Sequence, residues 1–579
     1  MPEADVANAE IARILRDLAD MLEIQGSNQF RVRAYRNAAR TIETWTESVS
    51  AIARTGAAAL TALPFIGADM AEKVAEIVRT GTLEQYQAEA RHVPPGVLEL
   101  LRVPGLGPKR VRALRETLKI SDLENLDAAL KAGRVRKVPG FTVKTEARLI
   151  EDLATLGETA KRFLRASVTV YAEAMLAGLR SLPGVHKAEI AGSYRRRKDT
   201  VGDIDLLVSC DGGCPVIDRF VTYDGIARVL ERGETRASVR LHSGLQVDLR
   251  VLDAESFGAG LHYFTGSQPH TLVMRRLAQE RGLKLNEYGL FKGEKRIAGE
   301  SEEEVNAALG LPWITPELRE DRGEFEAARE GRLPALLELA EIRGDLQMHT
   351  DASDGRNTLE TMAKAAEALG YEYIAITDHT PLLKMIQGLD RAGFIEQWKE
   401  IDKVNAKLER LTVLKAAEVD ILTDGSLDLD DETLAELDLV VVSLHSKLSL
   451  EPKEQTARVL RALAHPSVDI FGHPRGRMLL KREGARFDLE QVCKVAAGNG
   501  VMLEVNAQPD RLDLDDVAVR TALGLGIKLV VSTDAHSTSE LRNMKWGVDQ
   551  ARRGWATRAD IANTQPLKSF RKLLHQARR

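Results

Sequence analysis

The chain has 579 residues, too many for a single hydrophobic core, so we expect several domains. Its 81 Lys and Arg residues nearly balance 86 Asp and Glu residues, and a net charge of −5 argues against a protein that coats DNA along its length. No run of about 18 apolar residues predicts a membrane span, and the N-terminus lacks the basic-then-apolar pattern of a secretory signal. The chain has only 3 cysteines, which suit a reducing compartment, so we expect a cytoplasmic protein.

In the second quarter of the chain, acidic residues lie in segments that predict β-strands. Asp203 and Asp205 begin an aliphatic segment, and Asp248 lies in a second segment with strand alternation. Side chains alternate between the two faces of a strand, so Asp203 and Asp205 should point the same way. Divalent cations would offset the repulsion between such carboxylates, and oxygen ligands favour Mg²⁺. Two such ions can serve phosphoryl transfer.

A predicted turn precedes these aspartates. Gly192 and Ser193 favour a tight turn, and the basic run 195–198 follows it. Backbone N–H groups, a hydroxyl and fixed cations together suit a phosphate. A surface strand preceded by a solvated basic run is the alternative interpretation, but the turn, the basic run and the later aspartate together favour a phosphoryl-transfer site.

The pattern Gly-Ser-x-Arg-Arg, then Gly-Asp-x-Asp, then a strand aspartate resembles the nucleotidyltransferase palm of family X DNA polymerases, the group of DNA polymerase beta. The resemblance implies that Asp203 and Asp205 bind two Mg²⁺ or Mn²⁺ ions. It implies that Asp248 binds the catalytic ion beside the primer 3′-hydroxyl. The residues implied to contact the incoming triphosphate are Gly192, Ser193, Arg196 and Gly202.

The segment 262–267 resembles the part of DNA polymerase beta that adjoins the sugar of the incoming nucleotide. The resemblance implies that the aromatic pair contacts the ribose position and that a thumb helix follows. The implied nucleotide-binding residues are Tyr263, Phe264, Gly266 and Arg275.

Two positions depart from that pattern. Thr271 stands where the family usually has Asn, and Gln246 stands where DNA polymerase beta has Arg. We expect Thr271 to affect nucleotide affinity and fidelity more than the chemistry.

Three N-terminal segments (63–67, 101–112 and 138–144) share an apolar residue, a Gly-containing turn and a helix with basic residues in its first turns. N–H groups at such a helix start can bind a phosphate without reading the base sequence. The arrangement resembles the helix-hairpin-helix motif, although the first copy has Phe65 where the family usually has Gly. A plain helix–helix connection is the alternative for each copy. In the second copy the implied DNA-binding residues are Gly105, Gly107, Lys109 and Arg110.

Lys73 follows Ala-Glu, as does the deoxyribose-phosphate lyase lysine of DNA polymerase beta, which makes it a candidate nucleophile. Arg31 and Tyr35 match supporting positions. Asp69 stands where the family has a lysine, and an acidic neighbour stabilises the protonated amine. The alternative is an ordinary surface lysine.

Beyond residue 340, short apolar strands alternate with helices, and His or acidic residues follow the strands. Functional groups at the C-terminal ends of parallel strands are typical of a barrel, and the His and acidic residues predict a metal cluster. The pattern resembles the polymerase and histidinol phosphatase (PHP) domain. The residues that match its trinuclear ligand set are His349, Asp354, His379, Glu418, His445, His473, Asp534 and His536.

The remaining ligand position of that set holds Gln347. A neutral amide is a weaker ligand than imidazole for Zn²⁺ or Mn²⁺, so we expect one metal position to be weak or empty. The resemblance implies up to three Mn²⁺ and/or Zn²⁺ ions and phosphoester hydrolysis. In bacterial family X polymerases this domain is associated with Mn²⁺-dependent 3′–5′ exonuclease and abasic-site endonuclease activity.

The chain is thus identified as a member of the bacterial family X DNA polymerases with a C-terminal PHP domain. The expected fold is multidomain, with an α-helical helix-hairpin-helix region, an α/β nucleotidyltransferase palm and thumb, and a (β/α)7-like PHP barrel. The expected boundaries are 1–90 for a helical DNA-binding, lyase-like domain, 91–160 for a helix-hairpin-helix domain, 161–256 for the palm, 257–318 for the thumb, 319–340 for a linker and 341–579 for the PHP domain.

The expected function is the filling of short gaps during repair, with gapped or nicked DNA and dNTPs as partners. The PHP domain would trim 3′ ends. We expect a nucleoid-associated monomer without a membrane partner. Two alternatives remain: a DNA end-processing nuclease, and a damage-docking protein with weak polymerase activity.

Overall fold

The computed structural model describes residues 8–44, 49–103, 105–159, 162–381 and 388–575. The chain forms two compact units, Met1–Lys161 and Arg162–Arg579. Among the described residues, none of the helices combines the length and the apolar character that crossing a membrane requires.

The first unit is helical throughout its described residues. Amphipathic helices bury two apolar cores, one around Leu15, Ile42 and Val74 and another around Val111 and Leu126. The helices are α1 (Asn8–Ile24), α2 (Gln29–Thr44), α3 (Val49–Arg54), α4 (Ala68–Thr80), α5 (Glu84–His92), α6 (Pro95–Glu99), α7 (Pro108–Leu118), α8 (Leu123–Lys131) and α9 (Val143–Thr159).

The three predicted hairpins share one turn conformation. Gly105 and Gly140 have φ angles of 81° and 87°, and Phe65 occupies the same left-handed region with φ 61°. A left-handed conformation costs a residue with a Cβ roughly 1–2 kcal/mol. The Phe65 side chain is also 69% exposed. The first hairpin therefore keeps the turn without the glycine.

The second unit begins with the palm, a five-stranded sheet in the order β2-β4-β7-β6-β5. The central pair β4 and β7 is parallel, and the other pairs are antiparallel. The strands of this sheet are β2 (Val185–Ile190), β4 (Asp203–Cys210), β5 (Ile226–Arg232), β6 (Arg236–Leu241) and β7 (Gln246–Leu252). The short strands β1 (Phe163–Leu164) and β3 (Thr200–Val201) form a separate antiparallel pair. Its helices are α10 (Arg165–Arg180), α11 (Gly192–Arg195) and α12 (Val216–Val221).

The thumb follows, with a three-stranded antiparallel sheet. Its core includes Phe325, from the segment predicted as a linker, and Trp555 of the barrel, so this segment packs between the two domains. The thumb and the segment after it contain α13 (Phe257–Thr265), α14 (Gln268–Glu280), β8 (Lys284–Asn286), β9 (Gly289–Lys292), β10 (Lys295–Ala298), α15 (Glu302–Ala308) and α16 (Glu324–Arg329).

The C-terminal domain is a near-closed barrel of seven parallel strands that follow one another in chain order. A parallel bridge between Met348 and Ala535 brings the first and last strands together. The strands are β11 (Gly344–Asp345), β12 (Tyr373–Ile376), β13 (Thr412–Asp420), β14 (Leu439–Ser443), β15 (Ile470–Phe471), β16 (Met502–Asn506) and β17 (Leu529–Ser532). The predicted (β/α)7-like barrel is confirmed.

Helices cover the outside of the barrel, and an apolar cluster that includes Tyr373, Val441 and Phe570 fills its interior. The helices are α17 (Leu359–Ala368), α18 (Arg391–Asn405), α19 (Asp431–Glu436), α20 (Pro452–Leu463), α21 (Leu489–Asn499), α22 (Asp516–Gly524), α23 (Met544–Arg553) and α24 (Leu567–Phe570). This arrangement places the loops after the strands at one end of the barrel.

Candidate active sites

The palm strands bring the three predicted aspartates to one face of the sheet. In the parallel pair β4–β7, Asp205 lies opposite Asp248, and Asp203 lies opposite Gln246. All three carboxylates are half-buried. The Gln246 amide donates hydrogen bonds of 3.2 and 3.1 Å to the two oxygens of Asp248. Gln246 therefore orients the third carboxylate, at the position where DNA polymerase beta has Arg.

The charges of this cluster disfavour full ionisation. Burial, followed by the charges of Asp203 and Asp248, raises the pKa of Asp205 to about 7. Burial and the charge of Asp248 also raise the pKa of Asp203. A set of half-buried carboxylate oxygens with these shifts suits divalent cations with hard, oxygen-preferring coordination.

The predicted phosphate turn adjoins these carboxylates. Gly192 has φ 63°, and a Cβ at this position would clash with an oxygen of Asp205, so glycine lets the turn approach the acidic strand. Ser193 follows on the same short helix, α11, and is half-buried. Gly202 is half-buried immediately before Asp203.

Arg196 links the turn to the thumb. Its Nη1 donates to the carbonyl oxygen of Thr265 at 2.5 Å, and its Nε donates to Glu320 at 3.1 Å. A Cβ on Gly266 would lie 3.2 Å from Arg196 Nη1, so Gly266 leaves room for the guanidinium. The structure thus brings together two of the predicted nucleotide-binding residues.

The predicted sugar-contacting pair lies at the end of α13. The rings of Tyr263 and Phe264 are half-buried and meet edge to face, 5.2 Å apart. Sequence reasoning missed Arg250, whose guanidinium lies 4.4 Å from the Phe264 ring centre and whose charge favours ionisation of Asp205. Its position two residues after Asp248 on a strand was the available signal. Arg275 is exposed on α14.

The second hairpin places its four predicted DNA-binding residues on one exposed turn. Gly107 precedes α7, and Lys109 and Arg110 lie in its first turn. Arg110 donates to the carbonyl oxygen of Gly105 at 2.8 Å and lies 5.6 Å from the ring centre of Phe141. N–H groups and cations at a helix start can bind a backbone phosphate.

Lys73 forms an ion pair with Asp69 and lies 5.8 Å from the ring centre of Tyr35. Lys73 is half-buried, and its role as a lyase nucleophile stays a prediction.

In the barrel, four imidazoles surround the carboxylate of Glu418, which is 1% exposed. His473 Nε2 and His445 Nε2 lie 2.8 and 3.2 Å from Oε1 of Glu418. His349 Nε2 and His379 Nδ1 lie 3.4 and 3.5 Å from its Oε2. Despite these short distances, neither Glu418 oxygen accepts a hydrogen bond with suitable angles among the described residues. Such unsatisfied buried atoms fit metal ligands.

Two further carboxylates extend the cluster. Asp354 lies 3.2 Å from His536 Nε2 and 3.6 Å from His379 Nε2, and Asp534 lies 3.0 Å from His349 Nε2. The whole predicted ligand set is thus brought together. Potential ligand atoms lie within 4.8 Å of one another in three overlapping groups: His349, Asp354, His379 and His536; His379, Glu418 and His445; and His349, Glu418 and Asp534.

The charges in the barrel cluster are strongly coupled. Burial favours neutral Glu418, but His445, His379 and His473 hold its pKa well below the usual range. Burial lowers the pKa of His445, but Glu418 and Asp420 raise it to about 10. Divalent cations stabilise the same carboxylates and displace protons from imidazole.

Gln347 is 0% exposed, and neither of its amide atoms has a hydrogen-bond partner among the described residues. Its Oε1 lies 3.1 Å from the position that a Cβ on Gly472 would take, just before His473. The amide therefore faces the barrel interior beside the cluster.

Sequence reasoning missed the residues that support the ligands. The Asp420 carboxylate lies 3.0 Å from Nδ1 of His445. Glu504 accepts a hydrogen bond of 2.6 Å from the backbone N–H of His473, and Asn506 donates to Asp534 at 3.1 Å. Such partners orient ligand side chains. The available signal was strand alternation: Asp420 lies two residues after Glu418, and Glu504 and Asn506 lie two apart on β16.

The comparisons with known proteins agree with this architecture. Family models match a helix-hairpin-helix domain over 6–83 and a SAM-like helix-hairpin-helix tandem over 97–155. The models for the DNA polymerase beta palm and thumb match 162–237 and 260–320, and the PHP domain model matches 345–508. Together they define a polymerase beta-like nucleotidyltransferase joined to a PHP barrel.

Relatives extend the similarity along the whole chain. The chain is 36% identical to the DNA polymerase/3′-5′ exonuclease PolX of Bacillus subtilis, over 98% of this chain and 99% of that protein. It is 28% identical to rat DNA polymerase lambda, over 54% of this chain and 56% of that protein. A probable phosphatase of Acetivibrio thermocellus is 31% identical, over 34% of this chain and 80% of the phosphatase. The chain belongs to the PolX family of family X DNA polymerases, which confirms the family inferred from its motifs.

Proposed function

We propose that this protein fills short gaps in DNA at the palm carboxylates and removes nucleotides from 3′ ends at the barrel cluster. The observation that carries the proposal is that one compact unit, Arg162–Arg579, contains both acidic clusters. Nucleotide addition uses the primer 3′-hydroxyl as nucleophile, whereas phosphodiester hydrolysis uses water. Two separate sites can therefore each position one nucleophile.

In the palm, Asp203 and Asp205 would hold two Mg²⁺ or Mn²⁺ ions, and Asp248 would hold the ion beside the primer 3′-hydroxyl. Gly192, Ser193, Arg196 and Gly202 would bind the triphosphate of a dNTP through N–H, hydroxyl and guanidinium groups. In the barrel, the eight-residue cluster would hold up to three Mn²⁺ and/or Zn²⁺ ions. The bound cations would act as Lewis acids toward phosphoryl oxygens and lower the pKa of water.

The remaining residues would position the substrates. Tyr263, Phe264 and Gly266 would adjoin the sugar of the incoming nucleotide, and Arg275 would also bind the nucleotide. Gapped or nicked DNA would be held through backbone phosphates at the second hairpin, without sequence preference, because N–H groups and cations recognise phosphate and not base identity.

The test uses 5′-labelled DNA with a one-nucleotide gap, Mn²⁺, and lanes with and without dNTPs. The wild type should extend the primer with dNTPs and shorten it without them. Asp203→Ala should abolish extension and preserve shortening, and His349→Ala should do the reverse. The two-site proposal fails if either substitution removes both activities. Shortening alone by the wild type would identify an end-processing nuclease.

A further inference from the structure

One helix of the barrel, α23, packs against the palm segment that carries the phosphate turn. Trp546, Asp549 and Arg553 are spaced three and four residues apart and so lie along one stripe of the helix. Trp546 is buried, and Arg553 is 4% exposed. The stripe faces residues 196–197 of the palm and the start of α10, so the barrel contributes directly to the surroundings of the turn.

Asp549 binds two palm arginines. Its Oδ2 accepts a hydrogen bond of 2.6 Å from Arg165 Nη2, and its Oδ1 accepts one of 2.5 Å from Arg197 Nη1. The Arg165 guanidinium also lies 4.6 Å from the ring centre of Trp546. Loss of a partner from a buried ion pair leaves an uncompensated charge, so these contacts fix the palm segment on the helix.

Arg553 holds the residue that we assign to the triphosphate. Its Nη1 donates to the backbone carbonyl oxygen of Arg196 at 2.7 Å and to Glu320 at 3.1 Å. The Nε of Arg196 donates to the same Glu320 oxygen, also at 3.1 Å. The Nη2 of Arg553 donates to Asp516 at 2.5 Å. The barrel thus fixes both the backbone and the side-chain partner of Arg196.

The backbone at Arg197, the residue after Arg196, indicates that contacts with the barrel stabilise this palm segment. Arg197 has φ 57°, a left-handed conformation that is unfavourable for a residue with a Cβ. Its side chain is fixed by Asp549 and by Glu317, whose Oε1 lies 3.0 Å from its Nε. Unfavourable backbone conformations persist where surrounding contacts over-determine them.

We propose that Asp549 and Arg553 are positioning residues for nucleotide addition, through which the barrel holds the phosphate turn in its nucleotide-binding conformation. Neither side chain needs to touch the nucleotide. The inference rests on the proposed function of Ser193 and Arg196. Its consequence is that two residues of the PHP domain control the polymerase reaction and leave the nuclease reaction unaffected.

The test measures single-nucleotide addition on gapped DNA with varied dNTP concentration. Arg553→Ala should raise KM for the dNTP by about 10-fold or more and change kcat by less than about 3-fold, because a displaced turn binds the triphosphate less well. Asp549→Asn should act in the same direction. Arg553→Lys should recover part of the loss, since it keeps the charge and one donor. Exonuclease rates should stay within about 2-fold, because the ligand cluster is intact.

Arg458→Ala is the matched control. Arg458 is 2% exposed and donates to the carbonyl oxygens of Leu422 and Ser446 at 2.8 Å, with a further bond to Ile421, all within the barrel. Its loss should lower the melting temperature and leave KM for the dNTP unchanged. Equal effects of Arg553→Ala and Arg458→Ala on KM would reduce Arg553 to a structural role and overturn the inference.

Arg196→Ala separates this inference from the function on which it rests. If Arg196→Ala leaves KM unchanged, the triphosphate assignment is wrong. If Arg196→Ala raises KM and Arg553→Ala does not, the assignment stands and the positioning role is wrong.

Discussion

The palm and the barrel each gather acidic residues, but they do so in opposite surroundings. The palm carboxylates Asp203, Asp205 and Asp248 lie half-buried on one face of the sheet, next to one another. The predicted barrel ligands are largely buried, and imidazoles of His445 and His473 lie close to the Glu418 carboxylate. We therefore expect cations and the nucleotide to complete the palm site, and we expect the barrel site to exist before the substrate arrives.

The largest expected effect tests whether the barrel site depends on its central carboxylate. Glu418→Gln should reduce 3′–5′ trimming by about 1,000-fold. The four imidazoles would lose the anion that lies among them, and a metal ion bound there would lose a charged ligand. Primer extension should stay within about 3-fold. Labelled single-stranded DNA and metal analysis of the purified protein provide the measurement. Glu432→Gln, at an exposed carboxylate, is the control. Normal trimming by Glu418→Gln would contradict the prebuilt site.

The second prediction concerns stability. Mn²⁺ at about 1,000 times its Kd should stabilise the fold by about 4 kcal/mol, because a prebuilt buried site binds metal without nucleotide. The rise in melting temperature should persist in Asp203→Ala and largely disappear in His349→Ala. Calorimetry with and without Mn²⁺ measures it. If the Mn²⁺-dependent rise in melting temperature were lost only in Asp203→Ala, the strong metal site would lie in the palm and not in the barrel.

The third prediction concerns pH. The pKa of Asp205 is raised to about 7 in the absence of metal, so below that pH a proton competes with the cation. The Mg²⁺ concentration for half-maximal extension should rise by up to about 10-fold for each pH unit below 7 and level off above it. Titrations at pH 6, 7 and 8 measure it. Arg250→Gln should move the onset to higher pH, since Arg250 favours ionised Asp205. A half-maximal Mg²⁺ concentration that does not change with pH would show that a proton on Asp205 does not compete with the cation.

The smallest expected effect concerns Gln347. Gln347→His should increase the Mn²⁺ or Zn²⁺ content and raise trimming by about 3-fold, because imidazole is the stronger ligand. Gln455 offers a matched control: it is also 0% exposed with both amide atoms unpartnered among the described residues, but it lies on the outer helix α20. Gln455→His should leave the metal content unchanged. Equal metal uptake by both variants would show that the position of Gln347 is not special.

Strand alternation and motif spacing were sufficient to predict much of this molecule. Alternation placed Asp203 and Asp205 on one face and Asp248 on a second strand, and apolar strands followed by His or acidic residues predicted a metal cluster in a barrel. The resemblance to the PHP domain implied which residues form that cluster. For the left-handed φ of Phe65, the only signal was its place in the hairpin motif, because the residue type itself argues against that conformation.

The contacts between domains could also not be predicted from the sequence. Asp549 and Arg553 have the spacing of ordinary charged residues on a helix face, and only the folded unit shows that this face meets the palm. The sequence also did not predict that Phe325 packs into a core that includes Trp555. The segment around Phe325 is charged and helical, and a linker has the same character. Pairings between residues more than 200 positions apart leave no local periodicity.

The bonds from Asp549 to Arg165 and Arg197 also constrain how this gene could be shortened. A lineage that lost the barrel would leave two palm guanidinium groups without their shared carboxylate and the Arg196 carbonyl without its donor. Removal of the barrel alone should therefore destabilise the palm segment that carries the phosphate turn, even though these palm residues are not part of the barrel cluster.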